Sequence, residues 1–256
     1  MPTLPIDRGE IYYEDVGTGY PVLLFAPGFL SSRMERWRSN PARPGVAQDW
    51  CDPVPVLAPH FRVVALDVRN AGRSHAAIGT DYDWASYTAD HRALLRHLGI
   101  ERCHVMGACI GVSFAFALEE AAPGTVTAQV LQNPIGLSDE NRAAVDGEIA
   151  DWAAGMAARP DVDPALLAAA GARMFAGDFV FSVTRDVAGR GKVPTLLMPG
   201  NDRMHPASVS ADIAWLTGAE VLDPWKGPDH RDAAIARARD FLLQHTPAAH
   251  NSGAAS

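Results

Sequence analysis

The chain is poor in cysteine, and its three cysteines follow no pattern that builds a disulfide framework or a zinc site. Cys51, Cys103 and Cys109 are an odd number among 256 residues, and none of them belongs to a Cys-x-x-Cys pair. Disulfide-rich secreted domains and structural zinc sites depend on such spacing. We therefore expect a reduced, cytoplasmic protein that holds no metal ion.

The sequence also lacks a run of basic residues and a long apolar stretch. The formal net charge is −8, which argues against a surface that binds nucleic acid or anionic lipid. No segment is apolar over the length that spans a bilayer, and the first ten residues contain no apolar core of a signal peptide. Nucleic acid and membranes are therefore not expected as partners, whereas a small-molecule substrate is.

What the chain does have is apolar content, 48% of its residues, arranged as short β-rich runs that alternate with longer helical patterns. This alternation predicts one α/β domain whose mostly parallel, doubly wound sheet carries helices on both faces. The predicted strands are 11–14, 21–26, 61–66, 103–106, 127–131, 193–198 and 220–222. Most of them end in Gly, Pro, Asn or Asp, so the loops that follow should gather at one edge of the sheet.

The predicted helices divide the chain into a core and an insertion. Helical patterns cover 82–98, 110–122 and 232–244. Residues 135–191 are rich in alanine, are interrupted by prolines and break the alternation, so they predict a small helical lid. The core would then comprise 1–134 and 192–246, and the small, polar residues 247–256 would form a flexible tail.

Cys109 is the candidate nucleophile. It lies between a β-run and an apolar helical pattern, with Gly107 and Gly111 two positions before and after it. A nucleophile on a sharp strand-to-helix turn needs close packing of the strand on the helix, which side chains at the flanking positions would obstruct. The start of a helix also favours a thiolate. A buried structural cysteine is the alternative interpretation, and it is the one preferred for Cys51 and Cys103, which have no such setting.

Acyl transfer to a thiolate creates an oxyanion, which two backbone N–H groups would have to stabilise. The amide of Ile110, at the helix start, is one candidate. The amide of Phe29 is the other, because Gly28 allows the loop after strand 21–26 to turn tightly and come close to a substrate.

The candidate acid and base follow the last two strands. Asp202 comes directly after strand 193–198, and His230 opens the final helix after strand 220–222. The order nucleophile, acid, histidine is the one that this architecture uses. His205, Asp223 and Asp229 are rivals; His205 is close to Asp202 in sequence and could instead line the substrate pocket, as could His75.

These residues together resemble the α/β-hydrolase superfamily over residues 11–245. The resemblance implies the α/β-hydrolase fold, with Cys109 as nucleophile, His230 as base, Asp202 orienting it, and the Phe29 and Ile110 amides as oxyanion hole. It implies no cofactor. The chain departs from most relatives in having Cys109 where they have serine, and Pro27 where they have histidine.

The expected function is hydrolysis of an activated acyl compound, an ester, lactone or thioester, through an acyl-thioenzyme on Cys109. One alternative is transfer of the same acyl group to an alcohol or amine, or a ring closure. Another is a noncatalytic ligand-binding protein of the same fold. The sequence leaves the oligomeric state open between a monomer and a homodimer.

Overall fold

A computed structural model describes residues 2–40, 45 and 50–248. Within these residues a nine-stranded sheet runs in the order β1-β2-β4-β3-β6-β7-β8-β9, and β5 pairs with β2. All pairings from β4 through β9 are parallel, whereas β2 runs antiparallel to β1, β4 and β5. The strands are β1 Thr3–Ile6, β2 Gly9–Val16, β3 Pro21–Phe25, β4 Arg62–Leu66, β5 His75–Ala76, β6 Cys103–Ala108, β7 Val126–Gln132, β8 Thr195–Met198 and β9 Glu220–Val221.

Helices lie along the chain between these strands. The α-helices are α1 Val54–Leu57, α2 Trp84–His97, α3 Gly111–Ala121, α4 Arg142–Ala157, α5 Pro164–Met174, α6 Arg185–Arg190, α7 Ala207–Thr217 and α8 Arg231–Gln244. Two short 3-10 helices, Phe29–Ser31 and Met34–Trp37, follow β3. None of the helices in the described part of the chain has the length and apolar character needed to traverse a bilayer.

The two faces of the sheet are buried by different helices. Along β3, Leu23 and Phe25 join the core that contains α2 and α3, while Val22 and Leu24 join the core that contains α1 and α8. Successive side chains of a strand point to opposite faces, so a continuous apolar strand is buried on both. The prediction of a doubly wound sheet with helices on both faces is confirmed.

All seven predicted strands are present, to within a few residues at their ends, and the three predicted helices correspond to α2, α3 and α8. The antiparallel edge strands β1 and β5 were not predicted. They are only four and two residues long, and so short a run carries no readable alternation. The prolines of residues 36–59 predict a long surface loop with one helical turn, and the structure places α1 within this stretch.

The 135–191 segment carries α4, α5 and α6, between β7 and β8. It is tied to the core by hydrogen bonds from Trp84 Nε1 to Met174 O at 2.7 Å and from Ser182 Oγ to Ser113 O at 2.7 Å. The division into core and lid stays a prediction. Of the predicted tail, residues 249–256 lie outside the described residues.

Candidate functional site

Cys109 occupies the junction between β6 and α3, in a backbone conformation that non-glycine residues rarely adopt. Its φ is 55°, in the left-handed region that costs an ordinary side chain free energy. Its N–H donates to Gln132 O at 3.0 Å, which holds the turn against the end of β7. The side chain is a free thiol and only 7% exposed.

The two flanking glycines are required by close packing. A Cβ at Gly107 would lie 2.5 Å from Gly111 O, and a Cβ at Gly111 would lie 2.3 Å from Phe25 O. Real Cβ atoms do not approach an oxygen this closely, so neither position accepts a side chain unless the backbone shifts. The spacing of glycines around Cys109 therefore has the steric cause that the sequence suggested.

The two candidate oxyanion amides lie at the starts of helical segments. Phe29 begins the first 3-10 helix with φ 55°, after Gly28 at φ 120°, and Ile110 is the N-cap of α3. The N–H groups at a helix start have no intrahelical acceptor. Neither amide donates to another backbone carbonyl in residues 2–40, 45 and 50–248, so both are available to a ligand.

Asp202 and His205 form a closed turn directly after β8. His205 N and Asp202 N each bond to the other residue's carbonyl, at 3.2 and 3.3 Å. Asp202 Oδ1 lies 2.8 Å from His205 Nδ1 and accepts the His205 N–H at 2.9 Å. A Cβ at Gly200 would be 2.5 Å from His205 O, so this glycine permits the turn. The carboxylate thus fixes the orientation of the imidazole ring.

The other ring nitrogen of His205, Nε2, makes no hydrogen bond within the described part of the chain. His205 is 8% exposed, and its Nε2 is buried without a hydrogen bond of ordinary geometry to any described residue. Burial acts to lower the pKa of His205, but the charge of Cys109, the hydrogen bond to Asp202 and contact with the Cys109 sulfur together raise it to about 9. Cys109 therefore lies close to the His205 ring.

The pKa of Asp202 is shifted in the opposite direction to that of His205, as expected for an ion pair. Burial acts to raise the pKa of this carboxyl, but the hydrogen bond and charge of His205 and the hydrogen bond from Lys226 lower it well below its usual range. Lys226 Nζ lies 3.1 Å from Asp202 Oδ2 and 2.7 Å from Asn201 Oδ1. Asp202 is consequently ionised and shared between a histidine and a lysine.

The structure pairs Asp202 with His205 and Lys226, and the expected hydrogen bond from His230 to Asp202 is not found among the described residues. His230 is exposed at the N-cap of α8, at the far end of the loop that follows β9. The part of that loop which reaches Asp202 presents Lys226, and the neighbouring Trp225 is buried, donating from Nε1 to Pro199 O at 2.8 Å. His205, expected to line the pocket, occupies the place beside Cys109 and Asp202. The three-residue spacing of Asp202 and His205 was the available signal.

The other candidate residues are exposed. His75 is exposed at β5, where its Nε2 lies 2.6 Å from Arg159 Nη2 and 3.3 Å from Asp161. The structure thus joins His75 to the end of α4 rather than to Cys109. The competing acids Asp223 and Asp229 are exposed as well.

Aromatic rings cover the oxyanion loop. Phe29 stacks on Phe175 with ring centroids 4.8 Å apart and meets Phe181 edge-on at 6.2 Å. Both partners belong to the 135–191 segment. This segment therefore covers Phe29, whose amide is a candidate oxyanion donor. Such a cover would exclude water from the site.

Sequence reasoning missed Trp50, whose ring meets the imidazole of His205 edge-on at 5.5 Å. Gln132 brings Trp50 to the site, because its side chain accepts from Cys51 N at 2.7 Å while its carbonyl holds Cys109. Nothing near Trp50 in the sequence signals this contact, which depends on β7 lying beside β6.

Comparison with known proteins agrees with this architecture. Residues 21–186 match the family described as alpha/beta hydrolase fold. The chain therefore belongs to the α/β-hydrolase fold family.

Its relatives are diverse. It is 27% identical to a putative carbamate hydrolase, RutD, of Pseudomonas savastanoi pv. phaseolicola, over 78% of this chain and 82% of that protein. It is 31% identical to a soluble epoxide hydrolase of Corynebacterium sp., but that match covers 43% of this chain and only 33% of the relative. Among solved structures, the enol-lactonase from Burkholderia xenovorans LB400 superposes with a TM-score of 0.68 at 20% identity, covering 94% of this chain and all of that one.

Proposed function

We propose that this α/β-family hydrolase cleaves an activated carboxylic ester, lactone or thioester through a covalent acyl-thioenzyme on Cys109. His205, oriented by Asp202, would be the acid and base. The observation that carries the proposal is the position of His205: Asp202 Oδ1 lies 2.8 Å from its Nδ1, its Nε2 is buried without a hydrogen bond to any described residue, and the charge of Cys109 acts on the ring strongly enough to raise the pKa of His205. Among its relatives are a carbamate hydrolase and an enol-lactonase, whose names indicate carbonyl substrates.

The chemistry follows from this arrangement. The Cys109 thiolate attacks the carbonyl carbon, and the resulting oxyanion accepts hydrogen bonds from the Phe29 and Ile110 amides. When the carbon–oxygen or carbon–sulfur bond to the leaving group breaks, the His205 imidazolium donates its proton to that group. The neutral imidazole then takes a proton from water, which attacks the thioester and releases the acid and the thiolate.

The proton that His205 carries supports this sequence of steps. With a pKa of about 9, the ring is protonated at neutral pH, so an acid is present when the leaving group departs. Asp202 stays ionised and stabilises the imidazolium without taking its proton. Lys226 would keep that carboxylate oriented.

The test uses a histidine pair as matched variants. We expect His205→Gln to lower kcat/KM for an activated ester or thioester by about 10²–10⁴-fold, the usual contribution of a general acid and base. His230→Gln should leave it within about twofold, since a solvated side chain contributes little. The opposite result would return the role of base to His230.

Intact-mass measurement during turnover separates an enzyme from a binding protein. A slow thioester or lactone should add its acyl mass to Cys109, and Cys109→Ala should abolish the adduct. If a broad panel gave neither turnover nor adduct while the thiol was shown to be reduced, the noncatalytic alternative would be favoured.

A further inference from the structure

Arg36 is held rigidly beside the oxyanion loop by the 3-10 helix that carries it. Met34 donates its N–H to Asp67 Oδ1 at 3.0 Å at the start of this helix, and Trp37 at its end is 2% exposed. Asp67 is itself fully buried and accepts from Arg73 N at 3.0 Å. The backbone of Arg36 is thus fixed at both sides, as a specific binding residue requires.

The side chain of Arg36 crosses the backbone of Gly28. A Cβ at Gly28 would lie 3.0 Å from Arg36 Cγ and 3.1 Å from its Nε. Gly28 directly precedes Phe29, whose amide is a candidate oxyanion donor. Arg36 therefore lies next to the loop that a substrate carbonyl would approach.

The hydrogen-bonding capacity of Arg36 is only partly used. Nη1 donates to Asn40 Oδ1 at 3.2 Å. Nε is buried and has no hydrogen-bond partner among the described residues. Nε of the nearby Arg33 also makes no hydrogen bond to them, although it lies 3.8 Å from Glu35 Oε2. A buried donor without an acceptor is costly, so a ligand acceptor at this point would be favoured.

No carboxylate of the described residues pairs directly with Arg36. In residues 2–40, 45 and 50–248 no Asp or Glu forms an ion pair with it within 4.0 Å. Burial and the like charge of Arg33 lower the pKa of Arg36, against the attraction of Glu148 and Cys109. The guanidinium groups of Arg33 and Arg36, the Glu148 carboxylate and the Cys109 sulfur thus lie in one region. Arg33 has Glu35 as an ion-pair partner there, whereas an anionic group of a ligand would supply the direct partner that Arg36 lacks among the described residues.

We propose that Arg36 binds a carboxylate on the substrate, so that the preferred acyl compounds are monoesters or monothioesters of dicarboxylic acids. The proposal rests on Cys109 acting as the nucleophile. An arginine fork matches a carboxylate with two parallel hydrogen bonds. The carboxylate would orient the acyl chain while its carbonyl enters the oxyanion site, and neutral esters of the same length would bind less well.

Alkylation of Cys109 tests this without a known substrate. Iodoacetate and 3-bromopropionate carry a carboxylate, and iodoacetamide and 3-bromopropionamide are their neutral counterparts. Rates at Cys109 are followed by peptide mass spectrometry, which separates it from Cys51 and Cys103. In Arg36→Gln we expect the acid-to-amide rate ratio to fall at least about tenfold for one pair, and Arg36→Lys should restore part of it.

Arg38→Gln is the matched control, because Arg38 lies on the same segment but is exposed and pairs with Asp52; its ratio should equal that of the wild type. An unchanged ratio in Arg36→Gln would overturn carboxylate recognition while leaving the nucleophile intact. Equal slowing of acid and amide would overturn it too, since Arg36 would then act on the thiolate or the fold. Failure of Cys109 to react with any reagent would overturn the nucleophile as well.

Discussion

Replacing Cys109 with alanine should lower the pKa of His205 from about 9 towards the ordinary 6.5. Five effects set this pKa: burial lowers it, while the charge of Cys109, the hydrogen bond of Asp202, contact with the Cys109 sulfur and the charge of Asp202 raise it. A rise from 6.5 to about 9 favours the protonated ring by about 3 kcal/mol. The charge of Cys109 is the largest of the raising effects.

Without Cys109, only Asp202 opposes the effect of burial. We therefore expect the pKa of His205 in Cys109→Ala to fall by at least about one pH unit, a change of about 1.4 kcal/mol. Proton NMR titration of the ring resonances measures it directly, with the signal assigned through His205→Gln.

Two outcomes would refute the reasoning. A pKa near 6.5 in the wild type would mean that His205 carries no stabilised proton. A high pKa that survives Cys109→Ala would assign the whole effect to Asp202, and Cys109 would then lie too far from the ring to exchange a proton with it.

Stability, packing and the identity of the attacking atom give three more predictions. Because the folded-state pKa of His205 is raised, its contribution to stability is complete below the unfolded pKa and is lost as pH rises through about 9. The free energy of unfolding in urea should therefore fall more between about pH 6 and about pH 10 for the wild type than for His205→Gln. An equal fall in the two proteins would contradict this. Gly111→Ala should lower the free energy of unfolding by about 1–3 kcal/mol or more, because the new Cβ would lie 2.3 Å from Phe25 O. The control Gly147→Ala in α4, whose Cβ would have no atom within 4 Å, should be neutral or stabilising. Equal urea midpoints for the two variants would refute the packing argument. Cys109→Ser should lose more than about 90% of esterase kcat/KM, because a site built for a thiolate seldom activates a hydroxyl; a near-normal rate would mean that sulfur is not the attacking atom.

Local sequence was sufficient for the parts of the fold with short-range causes. The turn at Cys109 is predictable because a buried strand, two glycines and an apolar helix follow one another within twenty residues. Asp202 is likewise predictable at the end of β8, since an apolar run and its stop signal adjoin it. The edge strands β1 and β5 escaped prediction because they are stabilised by pairing with β2 and contain too few residues for a pattern.

The sequence by itself placed Cys109 and Asp202 at the same edge of a parallel sheet, because each follows the carboxyl end of a strand. Only the tertiary structure decided which histidine joins them. His230 and His205 both follow Asp202 in the chain, and the position of His230 after the last strand favoured it. The outcome depended on the path of two loops: one folds back on Asp202 within three residues, and the other delivers Lys226 and leaves His230 in solvent. Loop paths are set by packing against distant residues such as Trp50 and Gly200, which no local pattern encodes.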